Sequence, residues 1–214
     1  MIIFIIFKIS MLPLVWLYFR PKVRGKKNLR QKAPFIIITN HTDYTDPLIV
    51  HMLFPFRKLY YMAAEEVFRN PAIRFFMTRC GAFPVKRGKE DLAAVDRAVD
   101  VLREGKIFVI TPEGKINRTD AEMLPFKRGV IRIASRTGAS ILPIYIEKRR
   151  NYLRRQKVII GKLIDFPELS GGRDLTPEEM KEAAEALRQK MLALKGSSQT
   201  TTEIIAENSE VIFK

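Results

Sequence analysis

One cysteine, two histidines and one tryptophan are all that 214 residues hold of these types. The lone Cys80 excludes an internal disulfide and fits a reducing compartment. Acidic residues are also scarce, 23 Asp and Glu against 38 Lys and Arg, for a formal net charge of +15. That excess points to a polyanionic partner: nucleic acid, an anionic membrane surface or a phosphorylated substrate. A solvated basic surface without a partner is the plain alternative. No internal repeat is visible, and a hydrophobic share of 47% argues against disorder. The length suits one domain with one core.

Residues Met1 to Phe19 are nearly all apolar, interrupted only by Lys8, Ser10 and Pro13. A helix of ~20 residues is about 30 Å long, roughly the thickness of the hydrocarbon layer. Arg20, Lys22, Arg24, Lys26, Lys27, Arg30 and Lys32 follow with no acidic residue among them. Such a cluster fits anionic head groups, at about 1 kcal/mol per charge near the surface. A secretory signal would carry its positive charges first and a small-residue cleavage site last, so that reading is set aside. Three remain open: a spanning helix holding the rest in the cytoplasm, a helix lying in one leaflet, and a core helix of a soluble domain.

Beyond it, Phe35 to Thr39, Leu59 to Met62, Ile107 to Thr111, Ile141 to Ile146 and Lys157 to Gly161 read as strands. Leu92, Val95, Val99 and Leu102 recur at helical spacing before Gly105, and Val130, Ile133 and Ala134 do so before Gly138. Thr176-Pro177-Glu178-Glu179 has the form of a capping box, with an apolar stripe from Met180 to Leu194 behind it. This alternation predicts an α/β domain, a sheet flanked by helices, over residues 21–195. Residues 1–20 are expected to anchor it to a membrane, and 196–214 to form a linker and loose tail.

His41 ends the first of these strands, in Asn40-His41-Thr42-Asp43-Tyr44-Thr45-Asp46. On a continuous helix, residues five apart point about 140° apart, so His41 and Asp46 meet only if a turn lies between them. If they meet, the imidazole is a general base and the carboxylate fixes its tautomer. No serine or cysteine stands beside them as a nucleophile, so the base would act on a substrate hydroxyl. The competing reading makes Asp46 a helix cap before Pro47 and His41 a plain loop residue. His51, on the following helix, reads as helix surface.

Three further loops carry charge. Lys86 and Arg87 end a short apolar stretch, and arginine suits bidentate phosphate binding. Glu113, Gly114, Lys115 and Arg118 gather after Thr111-Pro112, and Lys127 precedes a helix whose N-terminus would favour an anion. Each alone is open to a bland reading as a strand end or turn. Loops that each follow a strand converge on one sheet edge.

The order Asn-His-x-x-x-x-Asp, Gly-x-x-x-Val-x-Arg, Pro-Glu-Gly and Ile-Leu-Pro-Ile resembles the lysophosphatidic acid acyltransferases, the 1-acylglycerol-3-phosphate O-acyltransferases of the wider glycerolipid acyltransferase family. The resemblance covers roughly Phe35 to Ile146. It implies an α/β fold, here a mixed sheet flanked by helices with an N-terminal membrane-associated apolar helix. It implies His41 as base, Asp46 as its orienting partner, and Arg87 with Glu113-Gly114 on the glycerophosphate. Pro143 would lie toward the acyl donor, which is acyl-CoA or acyl carrier protein. No metal or cofactor is implied. The third motif departs from the family's Glu-Gly-Thr-Arg, so Lys115 or Arg118 would supply the missing cation, and Lys86 adds one in the second. The expected partners are lysophosphatidic acid and an anionic phospholipid membrane, at its cytoplasmic side. Another acceptor (a different lysophospholipid, glycerol-3-phosphate or lyso-ornithine lipid) is the alternative. A non-catalytic nucleic-acid binder is disfavoured, because the cations cluster beside an apolar anchor rather than among aromatics on one face.

Overall fold

The computed structural model describes residues 2–86, 91–149, 151 and 154–212, with side chains outside 2–9, 11 and 197–212. Phe35–Thr39 (β2) shows how the core arises. Its apolar run is buried on both faces, as a central parallel strand must be. Ile36 and Ile38 point into one core cluster, Phe35 and Ile37 into the other, following the period of two along a strand. Around it lie Lys22–Arg24 (β1), Leu59–Ala64 (β3), Ala82–Val85 (β4), Ile107–Ile110 (β5), Ile141–Ile146 (β6) and Lys157–Ile160 (β7). The sheet order is β1-β7-β6-β2-β5-β3-β4. β6, β2, β5, β3 and β4 are mutually parallel, and β7 is antiparallel to β6, so the sheet is mixed as expected. The carboxyl ends of the five parallel strands therefore share one edge.

Leu92–Arg103 (α4), Gly129–Thr137 (α5) and the start of Pro177–Ile212 (α7) cover one face; Ile2–Phe19 (α1) and Asp46–Leu53 (α2) cover the other. Gly138 closes α5 at φ +65°, a conformation that costs other residues about 1–2 kcal/mol. The capping box forms: the Thr176 N–H donates to Glu179 Oε2 at 2.8 Å and the Glu179 N–H to Thr176 Oγ1 at 3.3 Å.

Two expectations are revised. Residues 196–212 continue α7 as helix rather than forming a linker. Gly196 alone costs about 1 kcal/mol against alanine, and no proline follows it to end the helix. At the other end the apolar segment does form α1, but no helix among the described residues is long and apolar enough to cross a membrane. Val15 and Phe19 are buried against the domain, while Leu14, Trp16, Leu17 and Tyr18 are exposed. Pro71–Arg79 (α3), capped by Asn70, and Phe166–Ser170 (α6) are two further α-helices and were not read from sequence.

Candidate active site

Asn40 follows β2 and is buried. Its Nδ2 donates to the Ile146 carbonyl at 2.8 Å and its Oδ1 accepts the Ile146 N–H at 2.8 Å. The side chain thus extends the ladder between β2 and β6 by one step and fixes where the next residue, His41, leaves the sheet. The turn that the spacing required is present. Asp43 Oδ1 accepts from the Thr45 N–H and hydroxyl at 2.9 and 2.8 Å, folding the chain back on itself before α2.

Asp46 then points backwards. Its Oδ2 lies 3.0 Å from His41 Nδ1 and accepts the N–H groups of Thr42 and Asp43 at 2.7 and 2.9 Å. Its Oδ1 accepts the Thr42 hydroxyl at 2.9 Å. Asp46 makes none of the side-chain bonds of a helix cap, so the competing reading of this residue falls. Its side chain is 2% exposed, against 13% for that of His41, so the carboxylate is sealed and the ring has an opening to solvent. A carboxylate offers only acceptors, which puts the hydrogen on Nδ1 and leaves the Nε2 lone pair available.

Glu113 corrects an expectation. It is buried, and its two oxygens accept the N–H groups of His41 and Leu124, each at 2.8 Å. It clamps backbone, and it is not among the residues that line the cationic cavity described below. Burial pushes its carboxyl up from the ordinary range, against the two N–H bonds that draw it down. Nearby, the Asn117 N–H donates to the His41 carbonyl at 2.8 Å, bracing the same backbone from the other side. The sequence shows Asn40 only as the head of the His41 motif and gives Asn117 no role; the partners that define both lie far along the chain.

Glu113→Gln places an NH₂ against one of two N–H donors and strands it, at a cost of about 1–3 kcal/mol. The expected result is a fall in kcat of about 10–100-fold from a displaced His41, with the KM for the acceptor changed by less than about twofold. A direct phosphate contact would instead raise KM. The raised carboxyl also has a sign. Its contribution to stability is present below the ordinary carboxyl range and is lost as pH rises through the raised value. Urea midpoints of the native chain should therefore decline with pH over that range relative to Glu113→Gln; parallel profiles would contradict this.

The other predicted residues separate. Lys86 and Lys127, with Arg132 and Lys181, line a cavity of about 490 Å³ at the carboxyl ends of β3, β4 and β5. Met62, Val95 and Phe126 give it apolar walls. Gly114 lines it too, at φ +69°, and a Cβ there would fall 2.9 Å from Lys127 Nζ, so the ammonium lies against the glycine backbone. The Lys86 N–H donates to Asp91 Oδ2 at 2.9 Å, which holds the Asp91 carboxyl below its ordinary range. Arg118 reaches the other side, its Nη2 donating to the Tyr44 hydroxyl at 3.1 Å beside the His41 turn. Lys115 is exposed and does not line this cavity. Arg87, with 88–90, lies outside the described residues. Cys80 is buried. Among the described residues no group of three or more His, Cys, Asp or Glu is placed to hold a metal ion.

A family model described as Acyltransferase matches residues 20–147. A 1-acyl-sn-glycerol-3-phosphate acyltransferase of Bacillus subtilis is 30% identical over 182 residues, covering 81% of this chain and 87% of the relative. A protein of the same name from Borreliella burgdorferi is 35% identical over 134 residues, 61% of this chain and 52% of that one, so the match takes in about half of its length. The crystal structure of the 1-acyl-sn-glycerophosphate (LPA) acyltransferase PlsC from Thermotoga maritima shares the fold, with a TM-score of 0.63 at 22% identity, covering 90% of this chain and 78% of that one.

Proposed function

This chain belongs to the acyltransferase family, and on that premise we propose that it moves a fatty acyl group from a thioester to the sn-2 hydroxyl of a 1-acylglycerol-3-phosphate, giving phosphatidic acid for phospholipid synthesis. The observation that carries the reading is the His41–Asp46 pair, whose backbone is clamped by Glu113, the residue between Pro112 and Gly114 in the lining of a cavity that is both cationic and apolar. Such a cavity suits a phosphomonoester that carries a hydrocarbon chain.

His41 Nε2 takes the proton of the acceptor hydroxyl as that oxygen attacks the thioester carbonyl. Asp46 stabilises the imidazolium. The tetrahedral oxyanion collapses, the C–S bond breaks, and the departing thiolate takes the proton from His41, leaving an ester and a thiol. Transfer is direct, without an acyl-enzyme. The chemistry needs no metal or cofactor; acyl-CoA or acyl carrier protein brings the acyl group. Lys86, Lys127 and Arg87 hold the phosphate, with Lys127 laid over Gly114. α1 lies on the anionic cytoplasmic face of the cell membrane, with Leu14, Trp16, Leu17 and Tyr18 toward the lipid and Lys26, Lys27, Arg30 and Lys32 on the head groups.

The reading is tested by an acceptor panel with purified protein in detergent. The kcat/KM for lysophosphatidate should exceed those for lysophosphatidylcholine, glycerol-3-phosphate and lyso-ornithine lipid by about tenfold or more; equal values would contradict it. Lys127→Ala removes one charge-assisted contact and should raise the KM for lysophosphatidate about tenfold. A KM that stays put would take Lys127 out of the site.

A further inference from the structure

We propose that the groove between the β6–β7 connection and the α1–β1 turn binds the phosphorylated nucleotide end of a coenzyme A thioester, the acyl donor; this rests on the acyl-transfer reading above. The groove has a volume of about 980 Å³, at the upper end of the range for ligand clefts. Eight of its lining residues are Lys or Arg, against three carboxylates. Two of those carboxylates have cations of their own, Glu147 with Lys157 at 3.1 Å and Glu122 with Lys195 at 2.5 Å. The remaining excess is rich in arginine: Arg20, Arg149, Arg154 and Arg155.

Two of these arginines, Arg149 and Arg155, are tied to backbone carbonyls around the end of α1. Arg155 Nε donates to the Arg20 carbonyl at 3.0 Å, and Arg149 Nη2 donates to the Tyr18 carbonyl at 3.3 Å with its guanidinium over the Tyr18 ring. Arg20 itself sits at φ +44°, the one non-glycine residue in the left-handed region among those described. Keeping an arginine there costs about 1–2 kcal/mol, at a turn that lines the groove. Arginine forks match phosphate oxygens. A pyrophosphate with a 3′-phosphomonoester carries roughly four negative charges, the monoester alone about 1.5–2.

The sheet order gives the groove its relation to the chemistry. β2, which presents His41, lies between β6 and β5. The phosphate cavity proposed for the acceptor opens on the β5 side and the groove on the β6 side. The groove wall reaches the His41 turn indirectly: Lys148 Nζ donates to the Thr119 carbonyl at 3.2 Å, in the loop whose Asn117 N–H bonds the His41 carbonyl, and Asn40, the residue before His41, bonds Ile146 at the end of β6. Donor and acceptor would reach the imidazole from opposite sides. A concave groove favours a compact polyanion over an acidic protein or a flat bilayer, either of which needs an open face.

Lys22→Glu and Arg154→Glu test this separately in the full chain, since both side chains are exposed groove residues. Each should raise the KM for acyl-CoA about tenfold or more, with the KM for lysophosphatidate changed by less than about twofold. Arg103→Glu, the same charge change near the amino end of β5, should leave the donor KM as it is. With the native chain, 3′-dephospho-acyl-CoA should show a raised KM, a reading that no folding defect can mimic. Adenosine 3′,5′-bisphosphate should displace a fluorescent coenzyme A from His41→Ala, and less well when Arg154→Glu is added. If that holds while the native chain acylates no lysophosphatidate, the groove stands and the acceptor reading alone fails. Unchanged donor KM in both folded variants overturns the proposal. So does an effect confined to acyl carrier protein as donor, or one confined to flotation with anionic vesicles.

Discussion

Replacing His41 with alanine is expected to lower kcat by about three orders of magnitude, within the range of about 10²–10⁴ for a positioned general base. The fold should survive. Asp46 keeps three of its four bonds, to the Thr42 N–H and hydroxyl and the Asp43 N–H, and the Glu113 clamp holds residue 41 through its backbone. The melting temperature and binding to anionic vesicles should therefore match the native protein. With the base gone, the acceptor hydroxyl attacks while still carrying its proton. Acyl transfer near the native rate, in a folded His41→Ala protein, would remove His41 from the mechanism.

Asp46→Asn is the subtler change and should cost almost as much. The amide oxygen can take the place of Oδ2 and keep the bonds from His41, Thr42 and Asp43. Its NH₂ then donates to the Thr42 hydroxyl, reversing that one bond. Stability should change by only about 1 kcal/mol. What is lost is the charge that steadies the imidazolium. An amide turned the other way would donate to Nδ1, moving the ring hydrogen to Nε2, the atom that must accept. Either arrangement lowers kcat, by about 10²–10³-fold, with little effect on either KM. Steady-state kinetics at saturating donor and acceptor check this. A kcat within about twofold of native would mean that Asp46 only shapes the turn.

The parts legible in the sequence were those fixed by local rules. Phe35 to Thr39 is a run of apolar residues too short for a helix and too apolar for an edge, and it is the central strand. The capping box at Thr176 and Glu179 forms as its spacing requires. Asp46 lies five residues from His41, which demanded a turn, and the polar residues between them make it. Parts set by distant partners were not legible. Three residues, two of them charged, do not announce β1, which exists because β7 pairs with it. In α3, Ile73, Phe76 and Met77 stand at helical spacing, yet none of its nine residues is buried, so the helix owes nothing to core packing. Asn40 reads as a loop residue because its partner, Ile146, is 106 positions away. Glu113 was placed on the substrate because Pro-Glu-Gly after a strand does not say which way the carboxylate turns, and its partners at His41 and Leu124 turn it inward.

The most direct measurement is the mass of the lipid product. Purified native chain, incubated with an acyl thioester and 1-acylglycerol-3-phosphate, should convert the acceptor into a lipid one acyl group heavier, while the same amount of folded His41→Ala forms that product about a thousand-fold more slowly. A diacyl product formed at similar rates by both proteins, or none from the native chain with either coenzyme A or carrier-protein thioester, would contradict the account.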